Sequence, residues 1–223
     1  MHAPTTTFPE RVSIAIVDKR LQAALDHASG GFVQKRAALV AALPEFEALR
    51  ERARDLKNHV LAHLDTYLER YEEQVRRHGG QVHWAATAEE AREIILDICR
   101  KANAKTITKG KSMVSEEIGI NDALEAEGYH VVETDLGEYI IQLAKEPPSH
   151  IIVPAVHKTR AQVGDLFDEF HRPLGYTKHL TEVSEMVNEA RQVLREHYFK
   201  ADVGITGGNF LIAETDSSII VTN

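Results

Sequence analysis

Short apolar runs alternate with helix-like segments in the second half of the sequence. Runs typical of β-strands at residues 105–108 and 129–133 enclose a helix-like segment at 115–127, and further apolar runs follow at 139–143 and 151–153. Strands that alternate with helices are joined by crossover connections and form mostly parallel sheets. The pattern therefore predicts an α/β fold, a mostly parallel sheet with flanking helices, whose chemistry lies beyond the carboxyl ends of the strands.

The first half of the sequence has the periodicity of helices instead. Segments 13–28 and 32–43 predict two helices separated by Gly30 and Gly31, and Pro44 precedes a longer amphipathic helix that continues to about Val75. We therefore predict a helical N-terminal extension over residues 1–78 and an α/β domain over 79–223. Additional strand-like runs lie at 81–85, 203–206, 210–213 and 219–221, a helix is expected at 182–200, and capping boxes are expected at Thr87/Glu90 and Thr159/Gln162.

Composition narrows the class of protein. The net charge of −8 does not favour nucleic-acid binding, and 43% hydrophobic with 27% charged residues is ordinary for a globular protein. The N-terminus has no signal-peptide pattern and no apolar run is long enough to span a bilayer, so we expect a cytoplasmic protein. The single cysteine, Cys99, is expected on the buried face of a helix, and it allows neither an internal disulfide nor an iron–sulfur cluster.

The first candidate site is the basic turn that contains Lys109, Lys111 and Ser112, between a predicted strand and a predicted helix. Free backbone N–H groups at a helix start, together with two lysines, suit a phosphate or a carboxylate. The spacing is not that of a Walker loop. The alternative interpretation is a solvated turn in which Ser115 only caps the helix.

The second candidate site contains His157, Lys158 and Arg160, which follow the apolar run at 151–153. Three cationic or titratable groups at a strand end suit an anionic substrate. The alternative is an ordinary loop in which Thr159 is only a helix cap.

Three weaker candidates complete the set. Carboxylates at Glu133, Asp135 and Glu138 suit acid–base work, although a solvated acidic turn is the favoured interpretation and a pairing of Glu133 or Asp135 with Lys109 would be structural. Glycines at Gly207 and Gly208, with Glu214 after the next apolar run, allow a close approach to a ligand or merely a hairpin turn. The pair His59 and His63 has a metal-ligand spacing but lacks an evident third ligand, so no metal site is expected.

Several stretches together resemble the LUD domain of the lactate utilization proteins, specifically of the B-type iron–sulfur subunit. The matching residues are 58–61, 64–65, 67–68, 79–80, 82–85, 109–119 (KGKSMVSEEIG), 133–143 (ETDLGEYIIQL), 148–152, 154–155, 157–160 (HKTR), 204–210 (GITGGNF) and 213–215. The resemblance implies a fold similar to that of the sugar-phosphate isomerases and CoA transferases. It also implies a role in oxidising L-lactate to pyruvate, with other lactate utilization subunits as partners.

The chain departs from the family in two respects. The resemblance implies 4Fe–4S clusters held by cysteines of a later, ferredoxin-like segment, and the chain stops at Asn223, inside what resembles the domain, so no cofactor is expected in it. Asp216 stands where such proteins usually have glycine, and aspartate tolerates a left-handed turn better than most residues. A sheet cut short leaves an unpaired edge that invites another chain, so a homo-oligomer is one outcome left open.

Our working hypothesis is a docking and substrate-side domain of a redox subunit, whose basic residues line a cleft for a small anion. Two other interpretations stay open. One is a stand-alone enzyme of the isomerase or CoA-transferase type, with Glu133 or Glu214 as acid–base group or nucleophile. The other is a structural module that holds partner subunits through the long helix, at Leu56 and Leu64. The electron acceptor, the true substrate and the catalytic residues do not follow from the sequence.

Overall fold

A computed structural model describes residues 7–221, so residues 1–6 and 222–223 of the two predicted domains lie outside it. The described residues divide into two compact units. The first contains residues 7–25 and 85–207, and the second contains residues 26–84 and 208–221. The helices, in chain order, are α1 (Phe8–Val17), α2 (Lys19–Ala41), α3 (Phe46–Ala62), α4 (Leu64–Arg77), α5 (Ala88–Lys101), α6 (Met113–Glu117), α7 (Ile120–Ala126), α8 (Leu136–Ala144), α9 (Arg160–His171) and α10 (Val183–Lys200), with a 3₁₀ helix at Arg172–Leu174.

The first unit contains a three-stranded parallel sheet, which confirms the predicted α/β class. Its strands are β1 (Thr106–Gly110), β2 (His130–Glu133) and β3 (Val203–Thr206), in the order β2-β1-β3. The register pairs Lys109 with Glu133 on one side and with Ile205 on the other. Because the strands are parallel, their carboxyl ends meet at one edge of the sheet.

Helices cover the sheet with two clusters of buried side chains. One cluster joins Cys99 of α5 and Ile120 and Leu124 of α7 to Ile107 and Val131 of the sheet. The other contains Val132, Tyr139, Phe167, Ala190 and Val193, and so joins the sheet to α8, α9 and α10. Sandwiching the sheet in this way removes apolar surface from water on both faces, which is the usual source of stability for parallel sheets.

Two runs predicted as strands have other structures. Residues 139–143 belong to α8, where Tyr139, Ile140 and Ile141 are all buried, and a short buried helix has the same apolar run as a buried strand. Residues 151–153 form a loop in which Ile151 is 69% exposed. There the ring Nδ1 of His150 accepts hydrogen bonds from the backbone of Ile152 and Val153, so those N–H groups do not enter a strand ladder.

Other boundaries also differ from the prediction. The segment 115–127 forms two short helices, because Gly119 adopts a left-handed φ of 64° between α6 and α7. Gly30 and Gly31 lie inside α2. A glycine weakens a helix by only about 1 kcal/mol, which is not enough to end it. The break instead precedes α2 at Asp18, whose carboxylate accepts from Arg20 N and Leu21 N.

The second unit contains α3 and α4 and a hairpin of β4 (Phe210–Ile212) and β5 (Ser217–Ile219). The long helix predicted to reach Val75 is interrupted at His63, whose φ and ψ of −130° and 33° are not helical. Residues 81–85, predicted as a strand, do not form one, and Trp84 is 59% exposed and donates to Glu72. Asp216 has a φ of 53°, so the predicted left-handed turn is present.

Candidate functional site

The carboxyl edge of the sheet carries a buried cluster of one lysine and two carboxylates. Lys109 is 1% exposed, and its Nζ lies 2.8 Å from Glu133 Oε1 and 2.5 Å from Glu116 Oε1. The same Nζ donates to Ser115 Oγ at 3.3 Å. Glu133 also accepts a hydrogen bond from Asn121 Nδ2 at 2.6 Å. Strands β1 and β2 and helices α6 and α7 therefore converge on one buried polar cluster.

Burial and charge act in opposite directions on this cluster. Burial by itself lowers the pKa of Lys109, but the carboxylates of Glu133 and Glu116 outweigh it, so the pKa of Lys109 lies above its ordinary value. Burial raises the pKa of Glu133 by more than Lys109 and Asn121 lower it. The lysine is thus firmly cationic, whereas its surroundings oppose the negative charge of Glu133.

A cavity of about 160 Å³ opens beside the cluster. The residues that line it are Met113, Ser115, Glu116, Gly119, Ile120, Asn121, Asp122, Glu125, Glu133, Glu138, Ile141, Gln142, Glu146, Pro148 and Pro154. Six of these side chains are carboxylic acids, and no lysine, arginine or histidine is among them. Burial, followed by the charges of Asp135 and Glu133, raises the pKa of Glu138. The charged side chains of the cavity wall are therefore all acidic, and two of them, Glu116 and Glu133, are paired with Lys109.

The first predicted basic turn lies at the carboxyl edge as expected, but its cations are paired. Lys111 binds the carboxylate of Asp135 and has a left-handed φ of 56°. Ser112 caps α6 by accepting from Ser115 N at 3.2 Å. Gly207, just after β3, packs directly on this turn, because a Cβ there would lie 2.2 Å from the carbonyl oxygen of Lys111.

The second predicted basic turn is held by a carboxylate after α8. Glu146 accepts from Lys158 Nζ at 2.6 Å and lies 2.9 Å from His157 Nε2, while His157 Nδ1 lies 2.7 Å from Ser149 Oγ. Burial raises the pKa of Glu146, but Lys158 and His157 outweigh it, so this pKa lies below its ordinary value. Thr159 and Gln162 form the expected capping box of α9, and Arg160 is exposed on its first turn.

The structure joins some of the predicted site residues and leaves others apart. Lys109, Lys111, Ser112, Glu133 and Gly207 share the carboxyl edge of the sheet. The turn with His157 and Lys158 follows a loop rather than a strand, and it touches the cavity only through Glu146. None of Lys111, Ser112, His157, Lys158 and Arg160 lines the cavity.

The remaining candidates lie in the second unit, where Gly208 begins the hairpin and Glu214 is exposed in its turn. His59 lies 3.1 Å from the hydroxyl of Tyr67, and its ring is 4.8 Å from that of His63. Over the residues that the structure describes, no three histidine, cysteine or acidic side chains are grouped to hold a metal ion. Leu56 and Leu64 are 65% and 42% exposed.

A second buried polar cluster was not predicted. His171 is fully buried between Tyr139, whose hydroxyl lies 2.9 Å from Nε2, and Glu189, whose Oε1 lies 2.8 Å from Nδ1. Its ring packs on Phe167 at 4.3 Å between centroids. Burial, and then the charge of Glu189, raises the pKa of Tyr139 to about 12. The three residues are far apart in sequence, so no local motif indicates them.

Comparison with known proteins now places this α/β unit in a family. The family model described as the LUD domain matches residues 68–223, and the chain belongs to the LUD domain family. It is 45% identical over 224 residues to Lactate utilization protein B of Bacillus licheniformis and 44% identical over 224 residues to that of Bacillus subtilis. Both alignments cover 100% of the chain and 46% of the relative.

A further relative, the Escherichia coli protein named Uncharacterized electron transport protein YkgF, is 42% identical over 218 residues, which are 98% of the chain and 45% of that protein. The chain thus spans about half the length of the curated relatives it matches. No solved structure matches the chain, so the expected likeness to sugar-phosphate isomerases and CoA transferases stays a prediction. None of the described helices is both long enough and apolar enough to cross a membrane.

Proposed function

We propose that the chain is the LUD-domain part of a lactate utilization protein, a subunit that takes part in oxidising L-lactate to pyruvate. The observation that carries the proposal is 44–45% identity along the complete chain to relatives named Lactate utilization protein B. In this proposal the electrons pass through 4Fe–4S clusters outside the 223 residues, and the partners are other lactate utilization subunits. The electron-transport name of the Escherichia coli relative agrees with this role.

A chimera tests this role. The matching 46% of the Bacillus subtilis relative is replaced by this chain, in a host whose growth on L-lactate requires that relative. We expect growth on L-lactate to be restored. The control is the same gene with the matching region deleted, which should not restore growth. A chimera that accumulates to normal levels without restoring growth would contradict the proposal.

For the substrate we propose two groups that receive a small anion, Lys111 at the carboxyl edge of the sheet and Lys158 in the loop before α9. Both lysines are partly accessible, with side chains 26% and 11% exposed, whereas Lys109 is enclosed. Each would exchange its present carboxylate partner for the carboxylate of the substrate. Titration calorimetry of L-lactate against the wild type and Lys111→Ala tests this, with the exposed Lys200→Ala as control. Equal heats for the three proteins, or no heat for any, would remove Lys111 from the proposal.

A second candidate function is favoured by Glu133. A buried carboxylate with a raised pKa that lines a cavity has the properties of a general acid or base. The candidate is a stand-alone isomerase or CoA-transferase-like enzyme, and turnover of a phosphosugar or a CoA thioester by the wild type but not by Glu133→Gln would support it. Exposed Glu214 has no comparable environment.

A further inference from the structure

Two buried oxygen atoms beside the Lys109 cluster have no hydrogen-bond partner among the described residues. They are Glu133 Oε2 and Asn121 Oδ1. The Glu133 side chain is only 4% exposed, and its other oxygen is already bound by Lys109 and Asn121. A buried acceptor without a partner costs about 1–3 kcal/mol, and natural proteins tolerate few of them. Two on neighbouring side chains leave this position short of hydrogen-bond donors.

Both side chains line the acidic cavity, which defines where such a donor would come from. The partly exposed apolar side chains of the wall include Met113 and Pro148. Apolar walls with a few convergent polar atoms are typical of sites for small organic ligands. The cavity therefore offers two acceptor atoms beside surface that suits a short hydrocarbon chain.

The charge balance selects the kind of donor. Lys109 is the one cation beside two carboxyl groups, those of Glu133 and Glu116, which lie within 2.8 Å of its Nζ. One carboxyl group is therefore left without a cation in a largely enclosed position, where a charge is unfavourable unless it is paired. A hydroxyl group would supply a hydrogen bond without balancing this charge. A carboxylate or a phosphate would be repelled by the acids of the wall, whereas an ammonium group supplies both the donors and the missing charge.

We propose that this cavity binds a small primary ammonium compound, whose N–H groups donate to Glu133 Oε2 and Asn121 Oδ1. Its hydrocarbon part lies against Met113 and Pro148. Lys111 and Lys158 do not line this cavity, although Glu146, the partner of Lys158, does, and the proposal does not depend on the lactate role. Glu138, whose carboxyl is repelled by Asp135 and Glu133, also gains from a cation in the cavity.

Three probes of similar size test the chemistry on the intact wild-type protein: n-butylamine, 1-butanol and butyrate. We expect saturable binding of n-butylamine by calorimetry at neutral pH, and binding of the alcohol and the acid at least tenfold weaker. In NMR spectra, n-butylamine should shift the side-chain amide signals of Asn121, and 1-butanol should not. Absence of n-butylamine binding, or equal binding of the alcohol, would overturn the proposal.

A pair of variants locates the site. Glu133→Gln keeps the shape of the side chain but removes its charge, and we expect it to weaken n-butylamine binding at least tenfold. Glu125→Gln removes the same charge from an exposed position on the cavity wall and should weaken binding less than threefold. Equal weakening by both variants would mean nonspecific attraction and would overturn the proposal. If Glu133→Gln does not fold, the test rests on the wild-type protein, where n-butylamine must shift the NMR signals of the Asn121 side-chain amide.

Discussion

Lys109 and Glu133 occupy directly paired positions on neighbouring parallel strands, and their side chains meet in an ion pair of 2.8 Å that solvent does not reach. The strand register therefore places opposite charges side by side at the carboxyl edge of the sheet. Glu116 adds a second carboxylate to the same lysine. This cluster is both a structural element of the sheet and the floor of the acidic cavity.

Removing the lysine from this cluster should be strongly destabilising. Lys109→Met leaves Glu133 buried without its cation, and losing one partner of a buried pair costs about 3–5 kcal/mol. Lys101→Met is the matched control, because Lys101 forms an exposed pair with Asp97, and such pairs contribute about 0–1 kcal/mol. Free energies of unfolding from urea titrations compare the two. A loss below 1 kcal/mol for Lys109→Met would show that the cluster contributes little to stability.

Glu138 should make the protein less stable as the pH rises. Its pKa in the folded protein lies above the ordinary 4.5, because burial and then Asp135 and Glu133 oppose its charge. The folded state therefore holds this proton more tightly than the unfolded chain. The corresponding stability is fully present below pH 4.5 and is lost as the pH rises through the folded pKa.

The variant Glu138→Gln stays neutral and should escape this loss. We expect its urea midpoint to exceed that of the wild type at pH 7.5 and to match it at pH 4.0. Glu117→Gln, a substitution of an exposed glutamate near the same edge, should change the midpoint little at either pH. A variant that is less stable than the wild type at pH 7.5 would disprove the assigned electrostatic penalty.

Gly207 should not tolerate even one methyl group. A Cβ there would lie 2.2 Å from the carbonyl oxygen of Lys111, and the obstructing atoms are backbone. Gly207→Ala should lower the free energy of unfolding by about 1–3 kcal/mol or more and displace the turn at Lys111. Gly204→Ala on the same strand has its nearest neighbour at 3.7 Å and serves as the control. Similar thermal midpoints for both variants would contradict the close approach.

Within the buried cluster around His171, the imidazole should contribute more to stability than the hydroxyl of Tyr139. His171→Leu removes the partner of both Tyr139 and Glu189, and a buried acceptor left unpaired costs about 1–3 kcal/mol. Tyr139→Phe deletes one end of a single hydrogen bond and should cost about 1 kcal/mol. Urea titrations of the two variants should rank them in this order. A reversed order would mean that the tyrosine hydroxyl, and not the imidazole, holds the cluster together.

Local patterns in the sequence determined much of the fold. Capping residues at Thr87 and Thr159 fixed the starts of α5 and α9, because a cap depends on residues three positions apart. The alternation of strands and helices predicted the parallel sheet and hence a shared edge for Lys109, Lys111, Ser112 and Glu133. The prediction of a strand at 139–143 was wrong, because periodicity does not distinguish a short buried helix from a buried strand.

The tertiary structure decided the electrostatics of the candidate site. Every lysine in the two basic turns has a carboxylate partner that follows a different strand or helix, so a basic turn in the sequence is not a free cation in the folded protein. The acidic cavity has the same origin, because its carboxylates come from segments up to 30 residues apart. Charge pairing depends on which side chains meet in space, whereas caps and periodicity depend on near neighbours along the chain. For this reason the sequence alone predicted which residues share the carboxyl edge of the sheet, and only the packing determined which of their charges lack a partner.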